Sequence, residues 1–238
     1  MTSPTPIGTI RNGMNTDNTR GFQAGLASFG LIVWSSLLLA GCSPSSSGNP
    51  IPATTIQEAM TSPERVEDLD LYYRRLKLFP PEILQLINLK HLTLRTCMIG
   101  SLPPEIATLS KLTRLDLGET SLTNLTPSVG TLTNLTQLWL NDNALTALPG
   151  ELGHLSNLEY LNLDRNQLTA VPEEVGTLQS LTWLRLNHNQ IRALPRDLSG
   201  LAQNLKTLYL LGNPIPKEEQ ARIKKMLPAC TIYFEGVK

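Results

Sequence analysis

The stretch LTQLWLNDNALTALPGELGHLSN at residues 135–157 is followed directly by LEYLNLDRNQLTAVPEEVGTLQS at residues 158–180. Both segments are 23 residues long and share leucine at positions 1, 4 and 6, asparagine at position 9 and proline at position 15. The alternation of leucines around position 5 predicts a short strand with its leucines in the core and positions 3, 5 and 7 exposed. Self-similarity at a fixed period of this length indicates a stack of supersecondary units that share one continuous core.

The same frame can be followed through seven successive segments. They begin at Val66, Leu89, Leu112, Leu135, Leu158, Leu181 and Leu205. Successive starts are 23 residues apart, except for a last interval of 24 residues. Because strands at equivalent positions of stacked units pair in parallel, we predict one parallel sheet, roughly 30 Å across at about 4.8 Å per strand.

The LxxLxLxxNxL core of these segments is followed by a Leu-Pro step and then Glu-x-Ile, Glu-x-Leu or Glu-x-Val. This motif is similar to the leucine-rich repeats of Ras-suppressor type and to many bacterial counterparts, and the resemblance covers about residues 56–236. It implies an α/β solenoid, a leucine-rich repeat horseshoe with a parallel concave sheet of about seven strands and short convex helices, capped at both ends. Proline and an acidic residue suit the first turn of such helices, which we expect to run for about two turns.

Position 9 is predicted to carry a structural ladder. An amide side chain has both donors and an acceptor, so it can bond backbone groups in its own turn and in the adjacent one. The ladder consists of Cys97, Thr120, Asn143, Asn166, Asn189 and Asn213. Arg74 occupies position 9 of the first repeat, and we expect that repeat to bend outward so that Arg74 reaches water.

The N-terminal region has the pattern of an export signal. Within the uncharged stretch Gly21–Ala40, the most apolar part has the length of a signal-peptide core and is short for a membrane span. It ends in Leu-Ala-Gly-Cys at residues 39–42, which resembles the bacterial lipoprotein signal. The resemblance implies cleavage after Gly41 and lipidation of Cys42, whether translation starts at Met1 or at Met14.

These features divide the chain into five parts. We predict a lipoprotein signal peptide at 1–41, a flexible tether rich in Ser, Pro and Gly at 42–55, an N-terminal cap at 56–65, seven leucine-rich repeats at 66–216 and a C-terminal cap at 217–238. The resemblance implies a lipid-anchored protein of the bacterial cell envelope. Ser43 follows the lipidated cysteine where Asp would favour the inner membrane in enteric-type bacteria, so the outer membrane or cell surface is favoured.

Exposed strand positions 3 and 5 predict a ligand surface, because the concave face is where solenoids usually bind. Trp139, Tyr160, Trp183 and Tyr209 come from four successive strands and are expected to form one aromatic band, with Arg185 and Arg165 beside it. Aromatic residues and arginine are enriched at binding hot spots, so we predict a protein or peptide ligand. Three alternatives stay open: glycan binding, cross-strand pairing that only stiffens the sheet, and a cytoplasmic signalling scaffold if the signal is not used.

Other function classes have little support in the sequence. The chain has no net charge and no basic footprint for nucleic acid. Its three cysteines and three histidines are scattered, and neither a catalytic constellation nor a phosphate-binding glycine loop is present in the sequence. We therefore expect a monomeric, non-enzymatic binding protein without a metal or cofactor.

Overall fold

The computed structural model describes residues 49–234, and within them the repeats form one open parallel sheet of nine strands in chain order. The strands are β1 Ile51–Ala53, β2 Val66–Asp70, β3 His91–Thr93, β4 Arg114–Asp116, β5 Gln137–Trp139, β6 Tyr160–Asn162, β7 Trp183–Arg185, β8 Thr207–Tyr209 and β9 Thr231–Tyr233. From β2 onward, equivalent residues of neighbouring repeats pair directly, as Leu115 does with Leu138. The predicted solenoid class is confirmed. The predicted signal peptide and Cys42 lie outside the described residues.

The sheet is longer than the seven repeats because one further strand pairs at each end. β2–β8 belong to the repeats, while β9 continues the sheet from the C-terminal cap and β1 precedes the first repeat. β1 falls inside the stretch 42–55 that the sequence predicts to be a flexible tether, so that prediction is wrong for Ile51–Ala53. Pairing with β2 orders this segment, since Ile51 is opposite Val66 and Ala53 is opposite Leu69.

The return segments are shorter and tighter than the predicted two-turn helices. They are 3-10 helices of five residues: Pro81–Gln85, Pro104–Thr108, Pro127–Thr131, Gly150–His154 and Glu173–Thr177. Residues 196–204 of the last complete return segment form turns instead. A 3-10 helix rises about 2.0 Å per residue, so it crosses the back of a repeat with fewer residues than an α-helix needs.

A single core runs the length of the described chain. The residues at positions 1, 4 and 6 of all seven repeats are no more than 3% exposed. At one end the core is covered by helix α1, Ile56–Ala59, whose N-cap Thr55 accepts a hydrogen bond from the backbone N–H of Glu58 at 3.1 Å. At the other end helix α2, Lys217–Met226, buries Ile223 completely. None of the helices between residues 49 and 234 has the length and apolar character that crossing a bilayer requires.

Glycine at mid-helix lets neighbouring 3-10 helices approach closely. An alanine at Gly153 would place its Cβ 2.6 Å from the Cβ of Glu174 and 2.8 Å from its carbonyl oxygen. We expect Gly153→Ala to lower the free energy of unfolding by about 1–3 kcal/mol, because backbone must move to relieve this overlap. Equilibrium denaturation in urea measures the change.

Gly150 provides a control in the same 3-10 helix. Its added Cβ would meet only the carboxylate end of Glu174, at 3.1 Å, and that side chain can turn away. Gly150→Ala should change stability by less than about 1 kcal/mol in either direction. Equal destabilisation by the two variants would mean that helix packing does not set the requirement for glycine.

Candidate functional site

The aromatic residues on the exposed face of the sheet form two stacks rather than one band. The first stack consists of Arg114, Trp139 and Tyr160, which come from β4, β5 and β6. The guanidinium carbon of Arg114 lies 4.6 Å from the centre of the Trp139 ring, and the Trp139 and Tyr160 ring centres are 5.1 Å apart. These residues are diagonal neighbours across adjacent strands, which is a separation that aromatic and long side chains can bridge.

The second stack lies toward the C-terminal end of the sheet and consists of Arg185, Tyr209 and Tyr233. The rings of Tyr209 and Tyr233 are 5.0 Å apart and inclined by only 10°. The guanidinium carbon of Arg185 lies 5.0 Å from the centre of the Tyr209 ring. The stack therefore spans β7, β8 and the capping strand β9.

Trp183 lies between the two stacks. Its backbone pairs with Tyr160 on one side and Thr207 on the other, and its side chain is 42% exposed. A single exposed apolar ring is common on protein surfaces, so Trp183 matters because of its place between the two stacks. Trp183 is exposed, whereas Trp139 of the first stack is half-buried.

Arg185 is held in place from beneath by a buried carboxylate. Both its Nε and its Nη2 donate to one oxygen of Asp164, at 2.7 and 2.6 Å, and the other oxygen accepts from the backbone N–H of Asn187. Burial lowers the pKa of Arg185, but the hydrogen bond and charge of Asp164 outweigh it and raise the pKa overall. The guanidinium is thus fixed in its charged form beside the Tyr209 ring.

Arg165 does not lie with these stacks. It belongs to a row of turn residues that lie at position 8 of their repeats, beyond the ends of the strands. These residues have positive φ angles: Tyr73, Thr96, Glu119, Asp142, Arg165, His188 and Gly212. Its guanidinium lies 3.3 Å from the carboxylate of Asp142, in the preceding turn of the same row. Arg165 thus pairs with an acidic turn residue, and the cation–aromatic contacts of the two stacks are made by Arg114 and Arg185.

The position-9 residues hold the turns that follow the strands. Asn166 donates to the carbonyls of Leu140 and Leu163, at 2.9 and 3.1 Å, and accepts from the backbone N–H of Leu145. Asn143, Asn189 and Asn213 repeat this arrangement. Cys97 and Thr120 occupy the same position in their repeats and make fewer hydrogen bonds. The Cys97 thiol donates toward the Leu71 and Arg74 carbonyls. The Thr120 hydroxyl donates to the Leu117 carbonyl.

Arg74, at position 9 of the first repeat, is exposed, and its Nε donates to the Thr54 carbonyl at 3.1 Å. The exposure of Arg74 is as expected, while the outward bend of the first repeat stays a prediction. The side chain reaches solvent and contacts the segment that leads into the N-terminal cap.

The exposed face offers flat rings and fixed cations, which suit stacking and hydrogen bonding to a ligand. Asp116 is the acidic member beside the first stack, and burial raises its pKa despite a hydrogen bond from the Gly118 backbone N–H. Across residues 49–234, no group of three or more His, Cys, Asp or Glu side chains comes together as a metal site requires. His91 pairs with Asp68 at 3.2 Å on the exposed face.

Comparison with known families agrees with this architecture. Residues 65–159 match the model described as "Leucine-rich repeat region", and residues 156–215 match "Leucine rich repeat". This chain contains a leucine-rich repeat domain. Domains of this family are typically modules for protein–protein interaction. No curated protein sequence matches the chain.

Solved structures with the same domain come from bacteria and plants. A leucine-rich repeat protein of Leptospira interrogans is 37% identical, with a TM-score of 0.72 over 79% of this chain, and the match spans about half (47%) of that protein. Internalin C2 of Listeria monocytogenes shares the fold at 23% identity and a TM-score of 0.62, covering 79% of this chain and 77% of internalin. A third structure is the leucine-rich repeat ectodomain of the Arabidopsis thaliana receptor kinase GASSHO1/SCHENGEN3 in complex with Casparian strip integrity factor 2. It is 28% identical, with a TM-score of 0.62, and the match covers 79% of this chain and 23% of the ectodomain chain.

Two members of the site were missed by sequence reasoning. Arg114 is at position 3 of its repeat, which the frame predicts to be exposed, but it was not among the residues predicted for the ligand surface. Tyr233 lies in the predicted C-terminal cap, and its pairing with Tyr209 places it at position 5 of the extended frame. Continuing the repeat register into the cap strand would have identified it.

Proposed function

We propose that this protein is a lipid-anchored component of the bacterial cell envelope that binds a protein or peptide on the exposed face of its sheet. The observation that carries the binding proposal is the pair of cation–aromatic stacks with the 42% exposed Trp183 between them. Rings and arginine in a rigid frame provide contact area at low entropic cost, because few rotatable bonds must be fixed on binding. The lipid anchor rests on the Leu-Ala-Gly-Cys motif at residues 39–42.

The support for a peptide ligand is partly geometric. Parallel strands repeat every 4.8 Å or so, and six of them, β4–β9, contribute a side chain to one of the stacks or supply Trp183. An extended peptide crossing these strands would meet a new side chain at each step. The Arabidopsis receptor ectodomain is in complex with Casparian strip integrity factor 2, and a similar use of a repeat surface is proposed for this chain.

The binding proposal can be tested with substitutions at the centre of the face. Trp139→Ala and Trp183→Ala should each reduce capture of the envelope ligand at least about tenfold, which is the loss expected of a hot-spot residue. The measurement is photocross-linking and affinity capture with the full-length protein in its own envelope, followed by mass spectrometry. Thr131→Ala, an exposed position on the return side, serves as the control and should capture the ligand as the wild type does.

The same variants distinguish binding from simple stiffening of the sheet. If Trp139→Ala and Trp183→Ala retain the wild-type melting temperature but lose the ligand, the stacks act in recognition. Unchanged capture would refute the site, and lost folding would assign the rings to cross-strand pairing.

Glycan binding is separated from protein binding by tryptophan fluorescence. Once residues 1–41 are removed, Trp139 and Trp183 are the only tryptophans left in the sequence. Isolated peptidoglycan or soluble saccharide that quenched their emission would favour a glycan ligand. We expect no quenching by these compounds.

A further inference from the structure

The loop that follows the first repeat strand has a composition unlike the corresponding loops of later repeats. Residues 72–79 read YYRRLKLF, and between residues 71 and 81 every charged side chain is basic: Arg74, Arg75 and Lys77. All three are exposed. Tyr73 is 69% exposed and Leu78 is 75% exposed, which is far more than a folded core would leave in water. We refer to residues 72–79 as the basic–aromatic loop.

Apolar exposure here departs from the repeat frame. Leu78 is at position 13, where the next five repeats have Ser101, Asn124, Ala147, Ala170 and Ala193. Met98, at position 10 of the second repeat, is also exposed, whereas the later complete repeats have Ser121, Ala144, Gln167 and Gln190 there. Repeats one and two thus carry large apolar residues at sites where the others are small or polar.

The second departure is a groove beside the loop. It has a volume of about 410 Å³ and a mainly apolar lining that includes Leu78, Phe79, Leu84 and Pro103, with Glu105 as the one acidic lining residue of the described chain. Leu84 is at position 19, where three later repeats have Gly130, Gly153 and Gly176 packed against the backbone of the next repeat. A leucine side chain is too large to pack against the backbone of the next repeat as those glycines do. The first two repeats therefore leave an apolar cleft between them that is open to solvent.

We propose that the basic–aromatic loop docks the first two repeats onto a bilayer surface that contains anionic phospholipid. Basic residues near an anionic surface are each attracted to its headgroups, and tyrosine favours the boundary between headgroups and hydrocarbon. Arginine and lysine extend their charged ends toward the headgroups while their stems cover apolar surface. Leu78 and the groove then supply the apolar contact that a purely electrostatic patch lacks.

The position of the loop relative to the chain entry fits this occupant. Arg74 contacts the Thr54 carbonyl, so the loop lies against the segment that leads back to the tether. Seven residue steps separate Cys42 from Asn49, which is at most about 24 Å of extended chain. This proximity rests on the proposed anchor at Cys42, which would keep the first repeat close to the membrane. The composition of the loop does not depend on it.

A lipid-free chain tests the docking separately from the anchor. Residues 49–234 contain the buried core together with both helices that cover its ends, so we expect a chain of residues 43–238 to fold without the signal. Flotation with vesicles of phosphatidylglycerol and phosphatidylcholine in equal parts should show binding, and vesicles of phosphatidylcholine alone should show little. The triple variant Arg74→Gln/Arg75→Gln/Lys77→Gln should bind the anionic vesicles at least about tenfold more weakly. Leu78→Ser should weaken binding about fivefold.

A matched control removes the same charge elsewhere. Lys206→Gln/Lys217→Gln/Lys225→Gln neutralises three exposed lysines at the far end of the solenoid and should stay within about twofold of the wild type, since the attraction to the surface fades within a Debye length. Melting temperatures verify that every variant is folded. The proposal is overturned if the wild type fails to float with anionic vesicles, or if both triple variants weaken binding equally.

The identity of the occupant is checked in the full-length protein. A photocross-linking residue at position 73 should label lipid in the cell envelope, and its capture of a protein would overturn the assignment to a bilayer. Loss of lipidation at Cys42 would refute the anchor but would leave the vesicle result standing. The two proposals can therefore fail independently.

Discussion

Replacing Asn166 with alanine is expected to lower the free energy of unfolding by about 4 kcal/mol, since several buried backbone groups lose their partner at once. The side chain bonds the Leu140 and Leu163 carbonyls and the Leu145 N–H, and Asn166 is only 7% exposed. Water cannot replace these bonds without opening the turn. Because neighbouring turns share the ladder, the loss should also loosen the adjacent repeats.

Two controls give this prediction its specificity. Asn157→Ala removes an exposed asparagine that makes one bond to the Thr133 carbonyl, at 2.9 Å, and should cost less than about 1.5 kcal/mol. Asn166→Thr should be milder than Asn166→Ala, because the Thr120 hydroxyl shows that threonine at this position can reach a carbonyl in its own turn, that of Leu117 at 2.7 Å. Urea unfolding followed by circular dichroism measures all three. Similar losses for Asn157→Ala and Asn166→Ala would mean that the ladder is not what stabilises the turns.

The repeat register could be predicted from the sequence because each leucine of the frame has one physical role. A strand that alternates inward leucines with outward polar residues cannot shift by one residue without exposing its core face. The register therefore follows from positions such as Leu138 and Leu161, which pair directly in the sheet. The 3-10 form of the return segments was not predictable in this way, because proline and acidic residues open an α-helix and a 3-10 helix equally well.

β1 was missed because its order comes from tertiary pairing rather than from local preference. The stretch Ile51–Thr55 contains Pro52 and small polar residues, which favour a linker when considered alone. In the folded chain this segment pairs along β2 at the edge of the sheet, where a proline is tolerated because one side of the strand needs no partner. Nothing in these five residues indicates that β2 has an unpaired edge with which they can form a strand.

The candidate site shows the same division between pattern and geometry. The frame predicts that Trp139, Tyr160 and Tyr209 point away from the core, and all three are half-buried residues outside the buried core. It does not decide side-chain direction, so it could not show that the rings separate into two stacks. Nor could it show that Arg165, in a left-handed turn at position 8, pairs with Asp142 of the preceding turn.

Replacement of Cys42 by alanine is expected to abolish lipidation completely and to leave the signal attached. The proposed modification attaches lipid to the thiol itself. By resemblance to lipoprotein signals, cleavage after Gly41 depends on that modified cysteine. Intact mass of the protein expressed in a bacterium with a lipoprotein pathway is the decisive measurement. The wild type should be found in the membrane fraction with a mass equal to residues 42–238 plus acyl chains, and Cys42→Ala should retain the signal residues up to and including Gly41.

Cys230→Ala is the matched control for the loss of a cysteine. Cys230 lies far from the Leu-Ala-Gly-Cys motif on which the proposed lipidation rests, and burial raises the pKa of its thiol to about 11, so we expect no lipid there. This variant should keep the wild-type lipid mass and location.

Membrane location alone would not suffice as a readout, because an uncut apolar signal can hold the Cys42→Ala protein at a membrane without any lipid. The mass of that uncut precursor also shows where translation begins. It differs by residues 1–13 according to whether translation begins at Met1 or Met14, a distinction that processing erases in the wild type. An unlipidated wild-type protein in the soluble fraction would refute the anchor, and a cytoplasmic scaffold would then be the better proposal. The exposed sheet face would remain the proposed binding surface under either result, since the stacks do not depend on where the chain is tethered.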